Sequence, residues 1–385
     1  MVPGRAAGAP WTRVSAGPHP PAPADVERLL GAVDGVERGV VLAGWGTAGD
    51  AATAAARFAA AIGWPLLADP LSGARHGDHA VSTYEALLRH ERFAAAHRPD
   101  VVVRVGAALT SKVAMAWLGQ DVPQVVLDPD RRWHDPHRAA SDVIDVDAAS
   151  LLHAVGEKVA RRGDAWLTSW RAAETSARAA VDQLLDGWTE PFEGRVARDV
   201  FAALPAGANL VVGSSMPVRD LDAYMRPREG LRVLANRGAS GIDGFVSTAL
   251  GVSATGAATT ALCGDLTLLH DVGSLIWSAG RGLDCVVVVP NNDGGAIFSF
   301  LPQRELAEFE ELFATPHGLE LGAICRAAGA RHALVERAAD LIPAIERAHG
   351  AGGVHVVEIP IDRARNVELH AAVHEEVASA LGGTT

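Results

Sequence analysis

Asp265, Asn292 and the backbone carbonyl of Gly294 are hard oxygen donors lying just beyond two successive apolar runs, 259–263 and 285–289. Mg²⁺ takes such donors octahedrally and keeps phosphate oxygens and water among its ligands. Between the runs, Leu268, Leu269, Val272, Leu275, Ile276 and Ala279 share one face at helical spacing. A strand–helix–strand unit of this kind places Asp265 and Asn292 side by side at the C-terminal edge of a parallel sheet. The helix start after Leu266 and the Gly294-Gly295 turn would add backbone N–H donors for a diphosphate. Gly-Asp and Asn-Asn are also ordinary turn chemistry, so these residues alone leave both readings open.

A second signal lies earlier. Residues 44–49 read GWGTAG, a G-x-G-x-x-G string between a strand-like run and a helical stretch, and Asp69 ends the next strand candidate. Glycines there would admit a pyrophosphate to a helix start, and the acid would hold a ribose. Any tight strand-to-helix turn also favours glycine. Asp128, Asp130, His134, Asp135 and His137 are dense enough to suggest a metal. Their neighbours Pro129, Pro136, Arg131, Arg132 and Arg138 suit a charged loop instead, and His76 and His79 read the same way.

Positioning these residues requires two α/β units. Strand-like runs fall at 40–43, 65–68, 101–105 and 124–127, with Ala-rich helical stretches at 51–62, 82–97 and 111–118 between them. Further runs at 209–212, 231–235, 259–263, 285–289 and 354–359 form the second unit. This alternation predicts two doubly wound parallel sheets, an α/β fold. A helical bridge over 148–188 joins them. The expected division is a Pro-rich linker over 1–24, a central Rossmann-like domain over 25–188, and a diphosphate-binding domain over 189–385.

The 385 residues suit two or three domains at about 150 each. With 49% apolar and 21% charged residues, the chain is neither disordered nor a small disulfide scaffold. Its net charge of −12 disfavours nucleic acid or an anionic membrane surface as partner. Cys263, Cys285 and Cys325 are too few for a disulfide framework and point to a cytoplasmic protein. No apolar run approaches the ~20 residues of a membrane span.

Three longer strings narrow the reading: GSSMPVR at 213–219, NRGASGIDG at 236–244 and NNDGGAIFSFLP at 291–302. With Gly264-Asp265 they resemble the 2-succinyl-5-enolpyruvyl-6-hydroxy-3-cyclohexene-1-carboxylate synthases, thiamine-diphosphate transferases of menaquinone biosynthesis. Leu266 stands where many thiamine enzymes carry Gly, a departure the menaquinone branch tolerates. The resemblance implies decarboxylation of 2-oxoglutarate and addition of the resulting succinyl carbanion to isochorismate. It implies Asp265, Asn292 and the Gly294 carbonyl as ligands of Mg²⁺ or Mn²⁺. Ser240, Gly241, Ile242, Gly264, Leu266, Thr267 and Gly295 are implied as further cofactor contacts, with Ile242 propping the cofactor in its bent form. Arg219, Arg237 and Ser215 would hold substrate, since guanidinium pairs bidentately with carboxylate. An ion pair of Arg219 with Asp220 is the competing reading. Ile297, Phe298 and Leu301 would exclude water from the carbanion, and Lys112 would approach from the first unit.

The same resemblance implies a homo-oligomer and a pyrimidine-binding domain that carries the acid facing the aminopyrimidine. That domain is expected before the linker, and no motif here matches it. An acetolactate-type thiamine carboligase, or a non-catalytic nucleotide-binding module built on residues 44–49, are the alternatives.

Overall fold

Runs of buried β-branched residues build both sheets. The protein, seen in a computed structural model, is described over residues 19–47 and 49–382 together with Arg5, Thr12 and Gly17. The first unit contains α1 (Pro23–Val33), β1 (Gly39–Ala43), α2 (Asp50–Ile62), β2 (Leu66–Ala68), α3 (Tyr84–Arg89), α4 (Glu91–Ala96) and β3 (Val101–Val105). It continues with α5 (Lys112–Leu118), β4 (Gln124–Leu127), β5 (Ala140–Ile144), α6 (Ala148–Gly156) and the long α7 (Asp164–Gly187). Its five strands are parallel in the order β2-β1-β3-β4-β5. Every residue of β1 and β3 is buried, as a sheet covered by helices on both faces requires.

The second unit runs α8 (Glu193–Ala203), β6 (Asn209–Val212), α9 (Met216–Tyr224), β7 (Arg232–Leu234), α10 (Phe245–Ser253) and β8 (Thr259–Leu262). Then come α11 (Asp265–His270), α12 (Val272–Ser278), β9 (Cys285–Asn291), α13 (Leu321–Ala327), β10 (Arg331–Leu334), α14 (Leu341–Ala351), β11 (Val354–Pro360) and α15 (Arg363–Gly382). Its six parallel strands lie in the order β10-β11-β9-β8-β6-β7. No helix among the described residues is long and apolar enough to cross a membrane.

Several local expectations change. The helix expected over 82–97 breaks at His90, whose backbone is extended and whose Nδ1 accepts from the Phe93 N–H. The stretch between β8 and β9 is two short helices parted at Asp271, whose carboxylate accepts from the Ser247 N–H and the Ser274 hydroxyl. Leu268 and Leu275 are buried as the pattern requires, but Ile276 is 61% exposed. Edge strands β5 and β10 were not foreseen, because edges tolerate the polar residues that hide a strand's signal.

The expected linker lies largely outside the described residues, as does Ala48. Its last two residues, Pro23 and Ala24, open α1, where Pro is suited to a first helical turn and the Asp25 carboxylate accepts from the Ala22 N–H at 2.9 Å. At the other end, α15 crosses back to the first unit. Leu369, Val373, Val377 and Leu381 join a core with Val40, Leu42 and Trp170.

The two units are locked together by a buried ion pair. Arg75, in the loop after β2, meets the carboxylate of Asp222 on α9; it also donates through Nη1 to the Asp222 carbonyl at 2.6 Å and through Nε to the Ala68 carbonyl at 2.7 Å. Tyr84 Oη donates to the same carboxylate at 2.5 Å.

Candidate functional site

In the second sheet the chain leaves β6 in one direction to β7 and later in the other through β8 and β9. Ligand crevices open at such switch points, beyond the strand C-termini. Here the loops after β6, β8 and β9 border a cleft of about 490 Å³. It is lined by Ser215, Arg219, Arg237, Ser240, Ile242, Gly264, Asp265, Leu266, Thr267, Asn292, Gly294, Gly295, Ile297 and Phe298. Three sequence strings far apart in the chain thus meet at one sheet edge.

Asp265 is 1% exposed and Asn292 7% exposed. One carboxylate oxygen of Asp265 accepts from the Leu266 N–H at 2.6 Å, and the other accepts from the Gly294 N–H at 2.9 Å with His317 Nε2 at 3.4 Å. Burial raises the Asp265 carboxyl above the usual range, while the two N–H donors and His317 pull against that rise. Asn292 donates Nδ2 to Glu193 Oε1 at 2.7 Å, yet its buried Oδ1 has no hydrogen-bond partner among the described residues. An unpaired buried amide oxygen is unfavourable. A cation beside Asp265 would satisfy both groups.

The Gly294 carbonyl is offered by a backbone only glycine can adopt. Its φ is +136°, and a Cβ there would lie 2.0 Å from the Ala314 carbonyl oxygen. Ser215 caps α9 with φ +71° and ψ −137°, a costly conformation for a residue with a side chain.

Arg219 and Arg237 are both half-buried on this cleft. Burial lowers the Arg219 pKa, and the like charge of Arg237 lowers it further. Among the described residues neither guanidinium has an ion-pair partner. Arg219 donates to the Ser215 carbonyl at 2.6 Å, and Arg237 Nε is buried without a partner. Asp220 does not pair with Arg219: its carboxylate receives His370 Nε2 at 2.8 Å instead. Two neighbouring cations at the mouth of a buried pocket suit a dianionic guest.

Three expected residues fall outside the lining. Lys112 is exposed at the start of α5, because Ala114, Met115, Trp117 and Leu118 turn the helix's apolar face into the first unit's core. Gly241 is exposed in the loop turned by Ser240, and Leu301 closes the 3-10 turn Ala296–Phe300. Conversely, Glu193 lines the cleft without having been singled out, and Ser214, Met216 and Asp220 line it without having been expected to. Glu193 looks in sequence like any acid in a first helical turn. Burial pushes its carboxyl up to about 7.

The first unit has its own switch point, between β1 and β3, at residues 44–49. Its mouth is filled by its own loops. A Cβ on Gly44 would lie 1.6 Å from the Ala107 carbonyl oxygen, and Thr47 Oγ1 donates to the Val105 carbonyl at 2.8 Å. The remaining cavity is about 50 Å³, far below the roughly 300 Å³ at which ligand pockets begin. Asp69 is fully buried and accepts from the Leu71 and Thr110 N–H groups, so it is committed to the fold. Gly44 serves close packing, whereas Gly46 and Gly49 turn the chain with φ of +85° and +58°. Asp128 likewise accepts from the Arg132 and Trp133 N–H groups, and Asp135 from the Ala140 N–H.

Comparison with known families agrees with this geometry. The family model described as "Middle domain of thiamine pyrophosphate" matches residues 9–212, and that described as "Thiamine pyrophosphate enzyme, C-terminal TPP binding domain" matches residues 215–359. The chain belongs to the thiamine pyrophosphate enzyme family. It is 41% identical to the 2-succinyl-5-enolpyruvyl-6-hydroxy-3-cyclohexene-1-carboxylate synthase of Myxococcus xanthus, over 98% of this chain and 65% of that protein. Synthases of the same name from Geobacillus kaustophilus and Thermobifida fusca are 39% and 42% identical, over 92% and 90% of this chain and 63% and 61% of theirs. The chain therefore spans somewhat under two thirds of the length of these relatives. Thiamine diphosphate fits the cleft by its donors: the unpaired Asn292 Oδ1, the Asp265 carboxylate and the Gly294 carbonyl suit a diphosphate-bound divalent cation.

Proposed function

We propose that the chain forms the central and diphosphate-binding domains of a cytoplasmic, homo-oligomeric 2-succinyl-5-enolpyruvyl-6-hydroxy-3-cyclohexene-1-carboxylate synthase. Its reaction is decarboxylation of 2-oxoglutarate and conjugate addition of the succinyl unit to isochorismate. The observation that carries this reading is the buried Asn292 Oδ1 beside Asp265, in one cleft with two arginines, the oxygen without a hydrogen-bond partner and the arginines without an ion pair among the described residues. Bound there, thiamine diphosphate supplies the carbon nucleophile and electron sink that the decarboxylation needs.

The chain's own residues do the rest. Asp265, Asn292 and the Gly294 carbonyl would hold Mg²⁺ or Mn²⁺ for the diphosphate, and Thr267 and Gly295 would contact the cofactor. Ile242, which lines the cleft, would support the cofactor with apolar surface. Arg219 and Arg237 grip the carboxylates of two diacid substrates through bidentate charge-assisted bonds, and Ser215 adds a hydroxyl donor. Ile297 and Phe298 wall the cleft with apolar surface and would exclude water from the reacting centre. A pyrimidine-binding domain, on the same polypeptide or another, completes the site.

The test supplies the chain and such a domain with thiamine diphosphate, Mg²⁺, 2-oxoglutarate and isochorismate, and follows product. Preference for pyruvate over 2-oxoglutarate would replace this reading with an acetolactate-type carboligase. Turnover by the 385-residue chain alone would remove the need for the second domain.

A further inference from the structure

Behind the cleft, three elements meet at one buried carboxylate. Glu193 begins α8 and is 4% exposed, while Asn366 lies in the first turns of α15 and is 1% exposed. The Glu193 N–H donates to Asn366 Oδ1 at 3.2 Å, and Asn366 Nδ2 donates back to Glu193 Oε2 at 2.9 Å. The other carboxylate oxygen, Oε1, receives Asn292 Nδ2 at 2.7 Å. The Asn366 carbonyl accepts from His370 Nδ1 at 2.8 Å, and His370 Nε2 meets Asp220 Oδ1, so the network is anchored at its far end.

The polarity of this network runs one way. A backbone N–H can only donate, so Asn366 must turn its oxygen to the Glu193 N–H and its NH₂ to the Glu193 carboxylate. That engages Oε2. In ionised Glu193, Oε1 remains as an acceptor and selects the NH₂ of Asn292, because an amide oxygen there would face a carboxylate oxygen. With Nδ2 thus held, the Asn292 carbonyl oxygen has one direction left, where it is buried and without a partner. An asparagine lacking this constraint presents either end of its amide, and an NH₂ repels a cation.

We infer that Glu193, clamped by Asn366, is a positioning residue that fixes the amide of Asn292 with Oδ1 toward the cation site. This rests on the reading of Asn292 as a cation ligand. It also gives α15 a role beyond packing, since the helix that returns to the first unit holds one end of the clamp.

The experiment measures Mn²⁺ affinity of the full 385-residue chain with thiamine diphosphate present, by electron paramagnetic resonance of free Mn²⁺. Glu193→Gln preserves shape but offers one acceptor where two donors need one each. Groups that orient metal ligands typically change metal affinity by about 10- to 100-fold, and a loss in that range is expected. Asn292→Ala should also weaken Mn²⁺, and Glu193→Gln should add nothing in that background. The double variant Glu193→Gln/Asn292→Asp should recover affinity. Its introduced amide would accept from Asn366 and donate to the introduced carboxylate, whose second oxygen is left for the cation. Circular dichroism on each variant reports whether it is folded. Unchanged affinity in folded Glu193→Gln, or an equal further loss in the Asn292→Ala background, would overturn the positioning role. Unchanged affinity in Asn292→Ala would instead overturn the cation site itself.

Discussion

Replacing Arg75 by Met tests whether the two units are held together electrostatically. The change keeps a long apolar side chain but removes every charge-assisted bond from Arg75 to Asp222 and Ala68. Arg75 is 3% and Asp222 2% exposed, so neither is rescued by bulk water. Tyr84 would remain as the donor to the stranded carboxylate. Breaking a buried pair by removing one partner costs about 3–5 kcal/mol, a large share of the roughly 5–15 kcal/mol that holds a domain together. The loss should also depend on pH. Burial already pushes Asp222 up to about 7 against the pull of Arg75, and without the guanidinium its carboxyl rises further. A group whose pKa is raised on folding loses stability as pH climbs from its unfolded value toward its folded one, by up to about 1.4 kcal/mol per pH unit. The destabilisation of Arg75→Met should therefore grow between pH 6 and pH 8. Urea unfolding followed by tryptophan fluorescence gives both quantities. Arg75→Met/Asp222→Leu, which removes both charges, should recover most of the loss. A single-variant loss below about 1 kcal/mol, or a double variant no better than the two losses combined, would refute the reasoning.

Three further outcomes follow, two from the cleft and one from α15. Asp265→Ala should abolish cation-dependent binding of thiamine diphosphate in calorimetry, while Arg237→Ala should retain it; equal loss in both would contradict the separation of roles. Gly294→Ala should lower Mn²⁺ affinity tenfold or more, since its Cβ would strike the Ala314 carbonyl and φ +136° strains any residue with a side chain. Burial lowers His374 from 6.5 to about 4. Its stabilising effect is therefore complete above pH 6.5 and is lost as pH falls toward 4, by about 3 kcal/mol in all. His374→Gln should flatten urea midpoints across that window, and an unaltered pH profile would show that His374 is not the group responsible.

The parallel sheets were legible because buried central strands read as unbroken apolar runs, such as Val101–Val105 and Cys285–Val289. The cleft was legible for a related reason. In a parallel α/β sheet the residues just past each strand share one edge, so Ser215, Asp265 and Asn292 had to converge once their strands were placed. Polar edge strands β5 and β10 carry no such signal. Helix breaks at His90 and Asp271 arise from side chains capturing backbone or hydroxyl groups, which competes with helical periodicity.

What only the tertiary structure decided is which polar groups are paired. Sequence alone offered Asp220 as a partner for Arg219; folding gives it to His370, 150 residues away, and leaves the arginine facing the cleft. It made residues 44–49 a promising nucleotide turn, whereas close approach of Gly44 to Ala107 fills the space. It held no hint that Glu193 and Asn366 would orient Asn292, because they are 173 residues apart and each looks ordinary in its own helix. Residue types and strand ends determined where chemistry can occur. Burial and the one-way polarity of hydrogen bonds, properties of the packed chain alone, decided which atoms remain free to perform it.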